Sequence, residues 1–208
     1  MTRGYFITLE GGEGAGKTTA AEQVADWLQR KGREVVRTRE PGGTEAAEKV
    51  RQILLDPATG ELDPMTELLL MFSARAENLS RIIRPALAEG KDVLCDRFSD
   101  ASRAYQGGGR CVGMQIVDRL ANIVHADLKP DLTLLLDVPV ELGMARVQKR
   151  GADVDRFEAA KADFLERVRQ TYLARARMEP ERIVVIDASS PLAAVQEDIQ
   201  RTLEARLS

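Results

Sequence analysis

The sequence predicts an α/β fold, a five-stranded parallel sheet flanked by helices in a single domain of 208 residues. Three observations carry this. Five short apolar runs lack a polar alternation, as strands buried on both faces do: Tyr5–Leu9, Glu34–Thr38, Asp92–Cys95, Leu132–Asp137 and Ile183–Ile186. Helical patterns fill every gap between them, so each strand returns to the sheet by a helical crossover. The first run leads, after Glu10, into Gly11-Gly12-Glu13-Gly14-Ala15-Gly16-Lys17-Thr18, the G-x-x-x-x-G-K-[ST] pattern set between a strand and a helix.

The first strand therefore feeds a glycine-rich turn, and a helix is expected over Thr18–Lys31. The second strand leads through Thr38–Thr44 to a helix over Thr44–Leu55. Pro57–Pro64 reads as a short loop and Met65–Ala88 as one long helix. The third strand ends at Cys95 and is followed by Asp96-Arg97-Phe98; Gly107–Gly113 is a glycine-rich loop. Helices over Met114–His125, Val140–Lys149, Asp155–Met178 and Leu192–Arg206 complete the pattern. The chain shows no repeat, no low-complexity tract and no linker that would split it.

An apolar content of 44% suffices for one well-buried core. The net charge of −3 argues against a general nucleic-acid binder, which carries a basic excess. Seven of the 30 basic residues are Lys, leaving 23 Arg, the side chain suited to bidentate phosphate contacts. Cys95 and Cys111 form neither a disulfide framework nor a metal spacing. No apolar stretch approaches about 18 residues, and no signal peptide is recognisable, so a cytoplasmic protein without a membrane span is expected.

The glycine-rich turn predicts a nucleoside triphosphate site formed by Gly11, Gly12, Glu13, Gly14, Ala15, Gly16, Lys17, Thr18 and Thr19. Backbone N–H groups converge on phosphate at the helix N-terminus; Lys17 reaches the β- and γ-phosphates and Thr18 holds Mg²⁺. Parallel sheets place ligands at the C-terminal ends of their strands, which brings Thr38–Thr44 and Asp96–Phe98 beside this loop. Asp96 can bind Mg²⁺ directly or through water, or accept a proton, and Arg97 can clamp a second phosphate. A surface ion pair is the alternative for these two. The D-x-x-G and N-K-x-D strings of a switch GTPase are missing, which favours a kinase. Residues 146–157 carry several cations around Gly151 and read as a short mobile lid that excludes water, with Arg150 stabilising the transferring phosphoryl group. A solvated helix end is the alternative.

In order along the chain, the glycine-rich loop, T-R-E-P-G-G-T at Thr38–Thr44, M-F-S-A-R at Met71–Arg75, D-R-F at Asp96–Phe98, A-Y-Q-G-G-G-R at Ala104–Arg110, P-D-L-T-L-L-L-D at Pro130–Asp137 and the segment from Arg150 to Glu158 resemble bacterial thymidylate kinase, a P-loop nucleoside monophosphate kinase. The resemblance covers essentially the whole chain. It implies ATP- and Mg²⁺-dependent phosphorylation of dTMP to dTDP by a homodimer. It also implies roles: Glu13 receives the sugar 3′-OH, Phe72 stacks on thymine, and Arg75 reaches a thymine carbonyl. Arg97 holds the dTMP phosphate with Arg39 in support. Ser102 bonds the base edge, Tyr105 lies against C2′, and Gln106 contacts the substrate across the cleft. Read from the residues alone, Phe72 can equally be core, Tyr105 a packing aromatic and Gln106 part of a plain turn. The loop itself carries no Arg, so the catalytic cation is expected from the lid, at Lys149 or Arg150. Another nucleoside monophosphate kinase, or a P-loop module without turnover, are the alternatives.

Overall fold

The computed structural model of the protein describes residues 3–150, 157 and 162–207. Strands β1 (Phe6–Gly11), β2 (Val35–Arg39), β3 (Asp92–Asp96), β4 (Leu132–Asp137) and β5 (Ile183–Asp187) form one sheet in the order β2-β3-β1-β4-β5. Every neighbouring pair is parallel. The helices are α1 (Lys17–Arg30), α2 (Glu45–Leu55), α3 (Pro64–Asn78), α4 (Arg84–Ala88), α5 (Ser99–Ser102), α6 (Met114–His125), α7 (Val140–Arg150), α8 (Ala162–Met178) and α9 (Leu192–Leu207). Among the described residues, no helix is long and apolar enough to cross a membrane.

The strand register aligns the ends that matter. Leu9 and Arg39 both face Asp96, Gly11 faces Leu136, and Asp137 faces Asp187. All five C-terminal ends thus share one edge, where a parallel sheet opens its ligand crevice. Alternation along β1 divides the core. Ile7 and Leu9 pack with Val24 and Leu28 of α1 and Ile199 and Leu203 of α9. Phe6 packs on the other face with Leu79, Ile83, Val93 and Phe98. By the same period of two, Thr8 and Glu10 point to Phe6's face, and both are fully buried. Thr8 is satisfied by Thr133, hydroxyl to hydroxyl at 2.7 Å; Glu10 finds its partners in the site described below.

Two segments depart from the expected elements. The helix expected over Met65–Ala88 is α3 and α4 joined by a π-helical turn, Leu79–Ile83. Pro85 lacks an N–H, and its ring crowds the carbonyl four residues earlier, so the turn before it widens. The second departure is Ser99–Gly109, which is helical as α5 and then π-helical over Arg103–Gly109, so the first half of the expected glycine loop belongs to a helical turn. The glycines there serve close approach. A Cβ on Gly108 would lie 2.0 Å from Thr171 Oγ1, and one on Gly109 2.5 Å from the Phe164 ring, both on α8. The expected start of the helix after the lid, 155–161, lies outside the described residues except for Phe157; α8 begins at Ala162.

Candidate active site

Gly16 caps α1 from a left-handed conformation, φ 89°, which a side chain would disfavour. Gly14 is also left-handed, and a Cβ there would meet the Gly143 carbonyl oxygen at 2.1 Å. Conversely, a Cβ on Gly143 would lie 2.4 Å from the Glu13 carbonyl oxygen. The first turn of α7 therefore rests directly on the loop backbone. Lys17 Nζ donates to the carbonyls of Gly12 at 3.0 Å and Gly11 at 3.3 Å. Burial, and then the charge of Arg97, push its ammonium below the ordinary lysine range. Such an ammonium gains from an anion placed in the loop.

The loop forms one end of a cleft of about 480 Å³. Arg97 dominates its middle. Its backbone is left-handed, φ 67°, which is strained for a side-chain-bearing residue, and its N–H donates to Leu9 O at 2.9 Å. Nη2 donates to Glu13 Oε1 at 2.8 Å and Nη1 to Gly11 O at 2.7 Å. The guanidinium lies 4.9 Å from the Tyr105 ring centroid, and Tyr105 Oη donates to the same Glu13 oxygen at 2.6 Å. Behind Arg97, Tyr172 Oη of α8 accepts from Arg97 Nη1 at 3.3 Å and donates to Glu10 Oε2 at 2.7 Å. Glu10 Oε1 accepts from the Phe98 N–H at 2.7 Å. Burial, and next the charge of Asp100, raise the Glu10 carboxyl to about 7.

At the far end, Arg75 is almost wholly buried. Its Nε pairs with Glu40 at 2.6 Å, and Nη2 donates to Phe98 O and Ser102 Oγ, each at 3.0 Å. Its Nη1 is buried without a protein partner. Gln106 Nε2 donates to Glu67 Oε1 at 2.9 Å, and Gln106 Oε1 is likewise buried and unpaired. Arg75, Ser102, Tyr105 and Gln106 all line the cleft. Phe72 does not: it is buried with Leu68, Val117 and Ala121. Met71, four residues before Arg75 and so on its helix face, lines the cleft, and Phe72 backs the Arg75 guanidinium, 4.5 Å from its ring centroid. Arg39 also stays out of this cleft. It lies exposed against Glu48, at 2.9 Å, while Arg51 of α2 lines the cleft and donates to Pro41 O at 2.9 Å.

Asp96, at the end of β3, keeps Oδ1 buried and unpaired, and the exposed Thr18 hydroxyl lines the same cleft. This oxygen donor set suits a hard cation such as Mg²⁺, which needs few protein ligands because it retains water. Arg146 of α7 donates to Ala188 O at 2.9 Å and to Gly14 O at 3.4 Å, and lines the cleft. The Arg150 side chain and residues 151–156 and 158–161 lie outside the described residues, and with them half of the expected lid at 146–157, Gly151 included. A second cavity of about 190 Å³ adjoins the loop, lined by Gly16, Thr19, Arg146, Ala188 and Leu192 among others.

Sequence reasoning missed Glu10, Arg51, Glu67, Met71, Gly143 and Tyr172. Four-residue spacing could have found Met71 with Arg75, and Arg51 with Leu55. A carboxylate inside an apolar strand was a signal for Glu10. Gly143, Glu67 and Tyr172 carried no local signal.

Fold and cleft together define a P-loop kinase of the nucleoside monophosphate class. The family model for thymidylate kinase matches residues 9–199. A thymidylate kinase of Chromohalobacter salexigens is 56% identical over 209 aligned residues, covering 100% of this chain and 99% of that protein. One from Pseudomonas fluorescens (strain SBW25) is 52% identical, covering 98% and 97%. The crystal structure of thymidylate kinase from Ehrlichia chaffeensis superposes with a TM-score of 0.78 at 34% identity, covering 97% of this chain and 99% of that one. The chain belongs to the thymidylate kinase family: it is a nucleoside monophosphate kinase whose acceptor is dTMP.

Proposed function

We propose that the protein transfers the γ-phosphoryl group of ATP to dTMP, with the cleft residues in the following roles. An oxygen of the dTMP phosphate attacks the γ-phosphorus as the bond to the β,γ-bridging oxygen breaks, giving dTDP and ADP. The N–H groups of residues 12–19 hold the donor phosphates, and Lys17 neutralises charge on the moving group. Thr18 and Asp96 would hold Mg²⁺, which supplies further neutralisation of phosphate charge when bound. Arg97 orients the acceptor phosphate with its planar fork. Glu13 receives the sugar 3′-OH, and Tyr105, anchored on Glu13, leaves no room for a 2′-hydroxyl. The second cavity takes the nucleoside of ATP, and Arg146 or Arg150 adds the cation from the lid side. Arg51 takes the supporting place expected of Arg39, and Met71, a polarizable thioether, takes that of Phe72 against the base.

The observation that carries the base assignment is the pair of orphaned atoms at the far end, Arg75 Nη1 as donor and Gln106 Oε1 as acceptor. A thymine ring offers a carbonyl and an N–H side by side, and would satisfy both. Initial rates with ATP, Mg²⁺ and, in turn, dTMP, dUMP, UMP and dCMP test the reading. The order should be dTMP, dUMP, then the other two far behind. The methyl group separates the first two by about 10–200-fold; dCMP used as well as dTMP would refute the assignment.

The exposed Leu69 of α3 and Ile116 and Ile123 of α6 favour a homodimer that covers these two adjoining helices. Sedimentation should return twice the chain mass. The free thiols of Cys95 and Cys111 fit a reducing, cytoplasmic compartment.

A further inference from the structure

Glu67 has no part in the roles above, yet it is a fully buried carboxylate in α3. Arg110 Nη2 pairs with its Oε2 at 3.2 Å, and Arg110 Nε approaches Oε1 at 3.4 Å. Arg110 is itself held, with its guanidinium 4.6 Å from the Phe164 ring centroid. An ion-paired carboxylate offers acceptors and no hydrogen. The Gln106 amide can therefore face Glu67 only with its NH₂ group, as the 2.9 Å contact requires. The flipped amide would set two oxygens against each other with nothing between them. Gln106 Oε1 is consequently fixed as an acceptor, on a residue of the cleft wall, with no protein partner.

We propose that Glu67 is a specificity-determining positioning residue: by locking the Gln106 amide, it makes the acceptor site demand a ring N–H and so selects thymine over cytosine. The inference rests on the reading of Gln106 as a base contact. Thymine carries a hydrogen on N3; cytosine presents a lone pair there. A locked acceptor bonds the first and repels the second, whereas an amide free to turn would serve both. Arg75 Nη1 adds a second, independent preference for a carbonyl over an amino group, so releasing the amide narrows the discrimination and does not invert it.

The test compares kcat/KM for dTMP and dCMP in the full-length protein and in Glu67→Gln, Gln106→Ala and the exchange Glu67→Gln/Gln106→Glu. In Glu67→Gln both side chains are amides, and the Gln106 amide can turn. The dTMP:dCMP ratio should fall by about tenfold or more, on the scale of one unmatched buried hydrogen bond. In the exchange variant the introduced amide donates to the introduced carboxylate, whose other oxygen is again only an acceptor, and the ratio should return to within about threefold of the unmodified protein. A role in packing alone would change both substrates together and leave the ratio unmoved. A folded Glu67→Gln protein with an unchanged ratio overturns the proposal. If Glu67→Gln does not fold, the exchange variant decides: a kept ratio supports the lock and a lost ratio overturns it. Gln106→Ala should lower kcat/KM for dTMP about tenfold. No loss there would sink the reading of Gln106 as a base contact, a failure distinct from that of the lock.

Discussion

Glu10→Gln should change the pH dependence of stability by an amount the structure sets. The Glu10 carboxyl is raised from 4.5 to about 7, by burial first and by Asp100 next, against the lowering effects of the Tyr172 hydrogen bond and Arg97. A carboxyl with a higher pKa in the folded state contributes stability that is fully present below about 4.5 and lost as pH rises through about 7. The interval is about 2.5 pH units at about 1.4 kcal/mol each, so about 3 kcal/mol is lost. The isosteric amide keeps an acceptor for Phe98 N–H or Tyr172 and does not titrate. The stability of Glu10→Gln minus that of the unmodified protein should therefore rise by about 3 kcal/mol between pH 4.5 and 8, on top of any constant offset. Urea unfolding at half-unit pH steps measures both proteins, and the difference cancels the titrating groups that do not interact with Glu10, while Asp100, whose charge acts on it, contributes together with it. A difference that stays flat across the window would refute the argument that burial keeps this carboxyl protonated.

Three further outcomes are expected. Gly143→Ala places a methyl group where the Glu13 carbonyl stands, 2.4 Å away; both atoms belong to or adjoin backbone, so the loop must shift, and kcat should fall by about tenfold to a hundredfold in a folded protein, as steady-state kinetics with a thermal melt would register. Tyr172→Phe removes only the hydroxyl that bridges Arg97 and Glu10, so KM for dTMP should rise several-fold with KM for ATP unchanged, and the effect should vanish in an Arg97→Lys background; full additivity in that double-mutant cycle would deny the coupling. Arg150→Ala should lower kcat by about 10³-fold, the low end for such a cation, with little change in substrate affinity, since the contact forms as charge develops. Full kcat in Arg150→Ala, with loss in Arg146→Ala, would move the cation to Arg146, which already touches Gly14 O.

The glycine-rich loop, the five strands and the family were legible because their signals are contiguous. A phosphate loop is a backbone conformation written in consecutive residues, Gly11 to Thr18, and the central strands β1, β3 and β4 are short apolar runs buried almost throughout, whereas the edge strands β2 and β5 are only partly covered. The π-helical turn before Pro85 follows from the missing N–H of one residue, although its width depends on how α3 and α4 pack. Helix faces were harder. Resemblance implied Phe72 against the base, with core as the alternative; the fold buries it with Val117 and Ala121 of α6, its ring 4.5 Å from the Arg75 guanidinium, and sets Met71 on the cleft wall. Arg39 and Arg51 divide in the same way, since Glu48 holds the first outside. Contacts between distant segments were out of reach. Glu10 and Tyr172 lie 162 positions apart, and Gln106 and Glu67 lie 39 apart. Each pair meets only because α8 and α3 pack beside β1 and the π turn. A buried carboxylate acquires its hydrogen-bond partners, its pKa and its power to orient a neighbour from that packing, which no local pattern encodes.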